Sequence, residues 1–152
     1  MEHDIQTKEI PAQLALTVHA RVSLATIPEG MGKAFDALMA HAQAGGGPFA
    51  GPPFCLFPEP PGDDFGIVVC VPVAPGAKAG EGVELEEIPE GTVASTLHTG
   101  PYSATEDTYR AMEAWMTASG KRPVGPPREV YLSDPVSVPE SELLTEIDWP
   151  VA

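Results

Sequence analysis

The chain has 152 residues, of which 22 are acidic and 8 are basic, so its formal net charge is −14. Such a charge repels phosphate backbones and argues against direct binding of nucleic acid. No stretch approaches the roughly 20 consecutive apolar residues of a membrane span. The acidic start, Met1–Asp4, is unlike a signal peptide. We therefore expect a cytoplasmic protein with no membrane partner.

The first half of the chain predicts three strands and one helix. After a loose lead-in over Met1–Thr7, a strand over Gln13–Ser23 alternates apolar and polar residues. A helix over Gly30–Ala44 repeats its apolar residues with the helical period and ends at three glycines. Phe54–Phe57 is predicted as a short strand and Phe65–Val73 as a strongly apolar one.

The second half repeats this order of elements. A strand is predicted over Thr92–His98 and a helix from about Ser103 to Ser119, where Gly120 ends it. Two strands follow, over Arg128–Leu132 and from about Leu143 to Val151. Each half is therefore predicted to have the order β-α-β-β.

An internal repeat supports this division into halves. At an offset of 74 positions, Phe49–Phe57 matches Pro123–Tyr131. A repeat of this length indicates one structural unit built twice. We assign repeat one to residues of about 5–75, a linker to 76–82 and repeat two to 83–152, all within a single domain.

Two such halves must pair to cover the apolar surfaces of their sheets. The chain is therefore predicted to be α+β, with two pseudo-symmetric repeats forming an antiparallel sheet system with two helices and a central ligand groove. The offset of 74 carries Phe35 onto Tyr109, Cys55 onto Glu129 and Phe57 onto Tyr131. A pocket on the pseudo-twofold axis would then be apolar on one side and acidic on the other.

The strand Arg128–Leu132 contains the strongest candidate for a site. Side chains alternate between the two faces of a strand, so Glu129 and Tyr131 share one face, while Val130 and Leu132 lie on the other and are expected to pack on a core. If the first face is open to solvent, the two are ordinary surface residues. If it lines a cavity, they form an acidic aromatic site.

Other reactive residues give weaker signals. Cys55 and Cys70 fall on successive predicted strands, where a reduced pair is favoured over a disulfide, and Cys55 is interpreted as an apolar wall residue. His19 and His98 occupy similar places in the two halves, either facing the groove or in satisfied hydrogen bonds. Trp115 has the helical spacing of a core residue. No spacing indicates a metal site, a catalytic triad or a phosphate loop.

Several segments, in this order and spacing, resemble the GyrI-like (gyrase-inhibitor-like) small-molecule-binding domains, also called bacterial effector-binding domains. These domains belong to a wider group that includes the SOUL haem-binding fold. The resembling segments cover nearly the whole chain: Leu85–Glu90, His98–Tyr102, Trp115, Gly125–Tyr131 and Leu144–Val151.

The resemblance implies two β-α-β-β repeats and a ligand pocket on the pseudo-twofold axis. It implies a glutamate in that pocket, which here is Glu129, and an aromatic lining for which Trp115, Tyr131 and Tyr102 are the candidates. Some members act as effector domains behind a DNA-binding helix-turn-helix, for which this chain has no room. Others stand alone, and some of those resemble hydrolases that open strained cyclopropane rings with a Glu and a Tyr.

Three functions are open at this point. The first is a stand-alone binder of lipophilic, often cationic aromatic small molecules, acting in drug or toxin sequestration or in effector sensing. The second is a metal-independent hydrolase of electrophilic natural products, with Glu129, Tyr131 and Tyr102 as its catalytic residues. The third is a protein-interaction module with a protein partner. No cofactor is expected. The predicted ligand-binding residues are Glu129, Tyr131, Trp115, Tyr102, Phe57, Cys55 and His98.

Overall fold

The computed structural model describes residues 4–46, 49–133 and 137–152. The fold is α+β, and these residues form eight strands and two α-helices, together with short helical turns. They divide into two compact units. Unit 1 consists of Met1–Ile10 and Gly91–Ala152, and unit 2 of Pro11–Glu90.

Unit 1 is a four-stranded antiparallel sheet with one helix. Its elements are β1 (Gln6–Ile10), β6 (Gly91–Thr99), α2 (Thr105–Ala118), β7 (Arg128–Tyr131) and β8 (Leu144–Pro150). The strand order is β1-β6-β8-β7, and every pairing is antiparallel. The apolar side of α2 covers one face of this sheet. The core cluster of unit 1 combines residues of the helix with residues of the sheet: Ala94, Met112, Met116, Ile147 and Val151.

Unit 2 has the same arrangement of four antiparallel strands and one helix. Its elements are β2 (Gln13–Val22), α1 (Ile27–His41), β3 (Phe54–Leu56), β4 (Phe65–Pro72) and β5 (Glu84–Ile88). The strand order is β3-β4-β2-β5. Helix α1 packs against β2 and β4. The fully buried side chains of this unit include Leu16, Leu38, Phe65, Ile67 and Val69.

The predicted fold class is confirmed, and the structure adds two strands that the sequence pattern did not predict. They are β1, which includes part of the predicted lead-in, and β5. Both are five residues long and mostly polar, and neither contains a fully buried residue. Each lies at the edge of its unit's sheet, where one side needs no partner. The apolar alternation that marks a half-buried strand is therefore weak in both.

Each of these edge strands comes from the other half of the sequence. Strand β1 directly precedes β2 in the chain, yet it pairs with β6 in unit 1. Strand β5 directly precedes β6, yet it pairs with β2 in unit 2. The assignment of the sequence to repeats 5–75 and 83–152 stays a prediction, and the spatial units are a separate division of the chain.

The two cysteines are both buried in unit 2 and are not joined in a disulfide. Cys55 lies opposite Val69 in the β3–β4 ladder, and Phe54 lies opposite Cys70. Since directly opposed residues point to the same face and neighbours along a strand to opposite faces, the two thiols project from opposite sides of the sheet. This register explains why adjacent strands do not bring them together as a disulfide.

No helix among the described residues has the length and hydropathy that crossing a membrane requires.

Candidate functional site

The candidate site is built around Glu129, which lies in the middle of β7. Glu129 is opposite Ile147 of β8, and Ile147 belongs to the core cluster that α2 covers. Because opposed residues share a face, Glu129 points toward the helix-covered face of unit 1. Only 7% of this glutamate is exposed. A buried carboxyl group therefore stands among apolar and aromatic side chains.

The predicted core face of β7 is wrong. Leu132 was expected to pack on a core with Val130, but it is 44% exposed, and Val130 is only partly buried. The alternation itself holds, since Glu129 is the one fully buried residue of the strand. Helix α2 covers the Glu129 side, so burial falls on the polar side chain and not on the apolar pair.

Two tyrosines hold the Glu129 carboxylate. The Tyr109 hydroxyl donates to Oε2 at 2.8 Å, and the Tyr131 hydroxyl donates to Oε1 at 3.2 Å. Each carboxylate oxygen thus accepts one phenolic proton. Hydrogen bonds to a charged group are stronger than those between neutral groups. The pair of phenols therefore fixes the plane of the carboxylate.

Further aromatic rings surround these phenols. The Tyr102 ring meets Tyr131 edge to face, with centroids 5.4 Å apart. The Trp149 ring meets Tyr109 in the same manner at 5.6 Å. Tyr102 is 38% exposed, so this side of the site reaches the surface. Such T-shaped pairs are a favoured arrangement of aromatic quadrupoles and hold the rings in defined orientations.

Burial sets the electrostatics of Glu129. Loss of solvation raises its pKa above the ordinary value for a glutamate. The two tyrosine hydrogen bonds act in the opposite direction. Within the part of the chain that the structure describes, no lysine or arginine forms an ion pair with this carboxylate. Its charge is therefore supported by phenols and not by a fixed cation.

A second buried acid of unit 1 shows the contrast. Asp148 is 2% exposed, and its carboxylate lies 3.9 Å from Lys8 Nζ and 3.7 Å from Arg128 Nε. Burial and the neighbouring Glu146 raise its pKa to about 6. Lys8 also pairs with Glu146 at 2.7 Å. On this face of the sheet two carboxylates are neutralised by two cations, which form a structural ion-pair network. Among the described residues, no cation neutralises Glu129 in this way.

His98 is buried and has a partner at each ring nitrogen. Its Nδ1 lies 2.9 Å from the Thr108 hydroxyl and its Nε2 2.9 Å from the Pro101 carbonyl oxygen. Because a carbonyl only accepts, Nε2 carries a proton, and the Thr108 hydroxyl donates to Nδ1 in the neutral ring. Of the two predicted environments, the structure has the satisfied one. In the sheet of unit 2, Ala20 holds the position that His98 holds in unit 1. His19 is the neighbour of Ala20 along the strand, so it points to the other face of the sheet.

The structure brings Glu129, Tyr131 and Tyr102 into contact in unit 1, and their roles in ligand binding and catalysis stay predictions. Trp115 lies partly buried against the core cluster of unit 1, and its role in ligand binding stays a prediction. Cys55 and Phe57 belong to unit 2. Cys55 is fully buried and Phe57 partly so, and their place in a ligand site also stays a prediction.

Sequence analysis missed Tyr109 as a site residue. Its spacing on α2 is that of a core residue, and the helical period of the apolar residues does not predict its hydrogen bond to Glu129. The repeat did contain a signal. At three matched positions an apolar residue of the first half is replaced by a hydroxyl or acid in the second, and these are Phe35 with Tyr109, Cys55 with Glu129 and Phe57 with Tyr131.

Comparison with known families gives one match over almost the whole chain. The family model described as a GyrI-like small molecule binding domain matches residues 3–152. A search of curated proteins found no match.

Solved structures share the fold at low sequence identity. The C-terminal domain of EcmrR is 22% identical, with a TM-score of 0.82 over 100% of this chain and 99% of that one. In its complex with DNA, EcmrR matches with a TM-score of 0.86 and 22% identity over 98% of this chain, which spans 57% of the EcmrR chain.

Two further structures carry information on ligands or activity. A hydrolase encoded by lin2189 from Listeria innocua is 19% identical, with a TM-score of 0.72 over 97% of this chain and 91% of that one. SAV2435 bound to tetraphenylphosphonium is 14% identical, with a TM-score of 0.64 over 100% of this chain and 94% of that one. At these identities the likeness shows the fold.

Proposed function

The chain belongs to the GyrI-like small-molecule-binding domain family, and we propose that its ligands are lipophilic aromatic cations bound beside Glu129. The observation that carries this proposal is the buried carboxylate, which two phenols support and which no lysine or arginine among the described residues pairs with. A protein of this kind acts in sequestration of drugs or toxins, or in sensing of an effector, in the cytoplasm.

The energetics favour a cation over a neutral ligand. Two opposite charges about 4 Å apart attract by about 4 kcal/mol at the effective dielectric constant typical of protein sites. An aromatic face in contact with the cation adds about 0.5–2 kcal/mol. A bulky organic cation is also weakly hydrated, so it loses little solvation when it leaves water. The charge of Glu129, which burial disfavours, would thus be stabilised by the ligand itself.

The neighbour SAV2435 was solved with tetraphenylphosphonium, a lipophilic aromatic cation. That ligand is a suitable first probe here, and tetraphenylborate provides a matched control because it has nearly the same size and shape with the opposite charge. We expect tetraphenylphosphonium to raise the melting temperature of the wild type and tetraphenylborate to have no effect. Saturation at 100 times Kd adds about 2.7 kcal/mol of stability.

The Glu129→Gln variant keeps the shape of the side chain and removes its charge. We expect it to bind tetraphenylphosphonium at least about tenfold more weakly by calorimetry, since each 1.4 kcal/mol changes Kd tenfold. The control is Glu113→Gln, which makes the same change at an exposed position of α2. Equal affinity of the wild type and Glu129→Gln for the cation would contradict the proposal. A lack of binding by every protein would favour the protein-interaction function.

A hydrolase is the second candidate, and the raised pKa of Glu129 beside two phenols favours it. A raised pKa makes a glutamate a stronger base than usual, which suits it to general base catalysis. Glu129 would take a proton from water while the hydroxide adds to a strained ring carbon and the ring bond breaks. The electron pair moves to an oxygen of the substrate, where a tyrosine donates a hydrogen bond, and the proton returns to the product.

The two candidates differ in what is recovered after incubation. A binder returns a cyclopropane-containing electrophile unchanged, whereas a hydrolase returns it with one water added, as mass spectrometry measures. In the hydrolase, Glu129→Gln should still bind the substrate and lose turnover by about a hundredfold or more. An equal rate of water addition with Glu129→Gln, or with no protein, would exclude this mechanism.

A further inference from the structure

Three side chains with metal-ligating atoms meet on the polar face of unit 2. His19 projects from β2, and Glu84 and Glu86 project from β5. His19 Nε2 lies 2.8 Å from Glu86 Oε2 and 3.3 Å from Glu84 Oε2. One atom from each of the three lies within 4.8 Å of the other two. The pairing of β2 with β5 produces this cluster, since more than 60 residues separate the histidine from the glutamates.

The charges of this cluster are not balanced, in contrast to the matched face of unit 1. There, the position corresponding to Glu86 on the edge strand is Lys8, which pairs with Glu146 and approaches Asp148. In unit 2, the edge strand instead supplies two carboxylates. Their only basic neighbour in the ion pairs of the described residues is the imidazole of His19.

The nearest fixed cation on the same strand is already committed. Arg21 binds Glu59 through both terminal nitrogens and Asp64 through Nε. The two carboxylates together carry more negative charge than the single positive charge of Arg21 neutralises. Arg21 is therefore not free to neutralise Glu84 and Glu86.

We propose that His19, Glu84 and Glu86 bind a divalent transition-metal ion, with Zn²⁺ as the best match. Zinc is bound by imidazole nitrogen and carboxylate oxygen at roughly 2.0–2.2 Å, so the ligand atoms of a tetrahedral site lie roughly 3.3 Å apart. The contacts of His19 with the two glutamates are close to that spacing. An imidazole ligand favours zinc over Mg²⁺ and Ca²⁺, which prefer oxygen ligands.

The surroundings of Glu86 fit this role. The buried Thr17 donates its hydroxyl to Oε2 of Glu86, the same oxygen that His19 Nε2 contacts. Thr17 thus orients this carboxylate toward His19. Outer hydrogen bonds of this kind commonly position metal ligands. Three protein ligands leave a fourth position for water or for an external ligand, which suits an exchangeable ion at an exposed site.

The test is a calorimetric titration of Zn²⁺ into the full-length, tag-free protein. We expect one ion to bind per chain, and His19→Ala and Glu86→Gln each to weaken binding by at least about tenfold. Glu87→Gln is the matched control, because Glu87 is an exposed residue of the same strand on its opposite face and loses the same charge. This control should bind zinc as tightly as the wild type.

Two results would overturn the proposal. The first is an absence of zinc binding, and the second is binding that His19→Ala does not weaken, which would place the ion at another site. A proton on His19 is the competing way to balance the glutamates. Nuclear magnetic resonance of the His19 ring separates the two, since zinc should shift its Nε2 signal at a pH where the free ring is neutral. A signal that responds to pH but not to zinc would favour the proton.

Discussion

Glu129 in unit 1 and Cys55 in unit 2 hold equivalent places and have opposite chemistry. Each is buried on the short strand that follows its unit's helix, opposite Ile147 and Val69, which are fully buried. The comparison extends to the matched aromatic residues: Tyr109 and Tyr131 in unit 1, Phe35 and Phe57 in unit 2. Of these two positions, the one that has a carboxyl group is the one whose neighbours donate hydroxyls to it, and we expect the carboxyl group to depend on those donors.

The largest effect is expected from placing an acid in unit 2. Cys55→Asp would bury a carboxyl group in unit 2, where the sequence repeat matches the two tyrosines with Phe35 and Phe57, which have no hydroxyl. A buried charge without such compensation costs about 3–5 kcal/mol. We expect urea denaturation to show a loss of this size at pH 7 and a smaller loss at pH 4, where the acid is protonated. Cys55→Ala is the control, and an equal loss in both variants would show that only packing matters.

An intermediate effect on stability is expected when Tyr109 of unit 1 is replaced by phenylalanine, the residue type of its match in unit 2. Tyr109→Phe removes the shorter hydrogen bond to Glu129 and restores the residue type of Phe35. Leaving a buried charged group short of a hydrogen bond costs about 1–3 kcal/mol. Tyr131→Phe should cost less, because its bond is longer. Urea denaturation at pH 7 measures both.

Two outcomes would contradict the role of these phenols. One is a Tyr109→Phe variant as stable as the wild type, and the other is an unchanged pKa for Glu129 in that variant. The expected change in the pKa is a further rise, because a bond that stabilises the charged form is lost. Infrared spectroscopy of the carboxyl group follows this titration directly.

The smallest effect is expected from Glu129→Gln in the absence of ligand. Because burial raises the pKa of Glu129, the folded state keeps its proton to a higher pH than the unfolded chain does. The wild type therefore loses stability as pH rises from the unfolded pKa of about 4.3 through the folded pKa. Glu129→Gln lacks this loss, so its advantage should grow with pH in thermal unfolding. An advantage that is the same at every pH would show that ionisation of Glu129 is not involved.

Alternation along β7 was enough to predict that Glu129 and Tyr131 share a face, and the repeat placed them in a candidate site. The face that α2 covers was not predictable, because it depends on packing between distant segments, and Leu132 was assigned to the core for that reason. The zinc-ligand candidates were missed on similar grounds. His19 meets Glu86 only through the register of β2 with β5, and a spacing rule along the chain does not contain that register.

The exchange of edge strands determines the order in which the chain can finish folding. Unit 2 is a continuous segment and is complete once β5 has left the ribosome. Strand β1 is synthesised first, yet Gln6 pairs with Ser95, so it must wait unpaired until β6 has emerged. A fragment that ends before β5 contains neither of the pairings that close the sheets. Unit 2 can therefore be completed before unit 1, and long-range pairings such as that of β1 with β6 make folding slow.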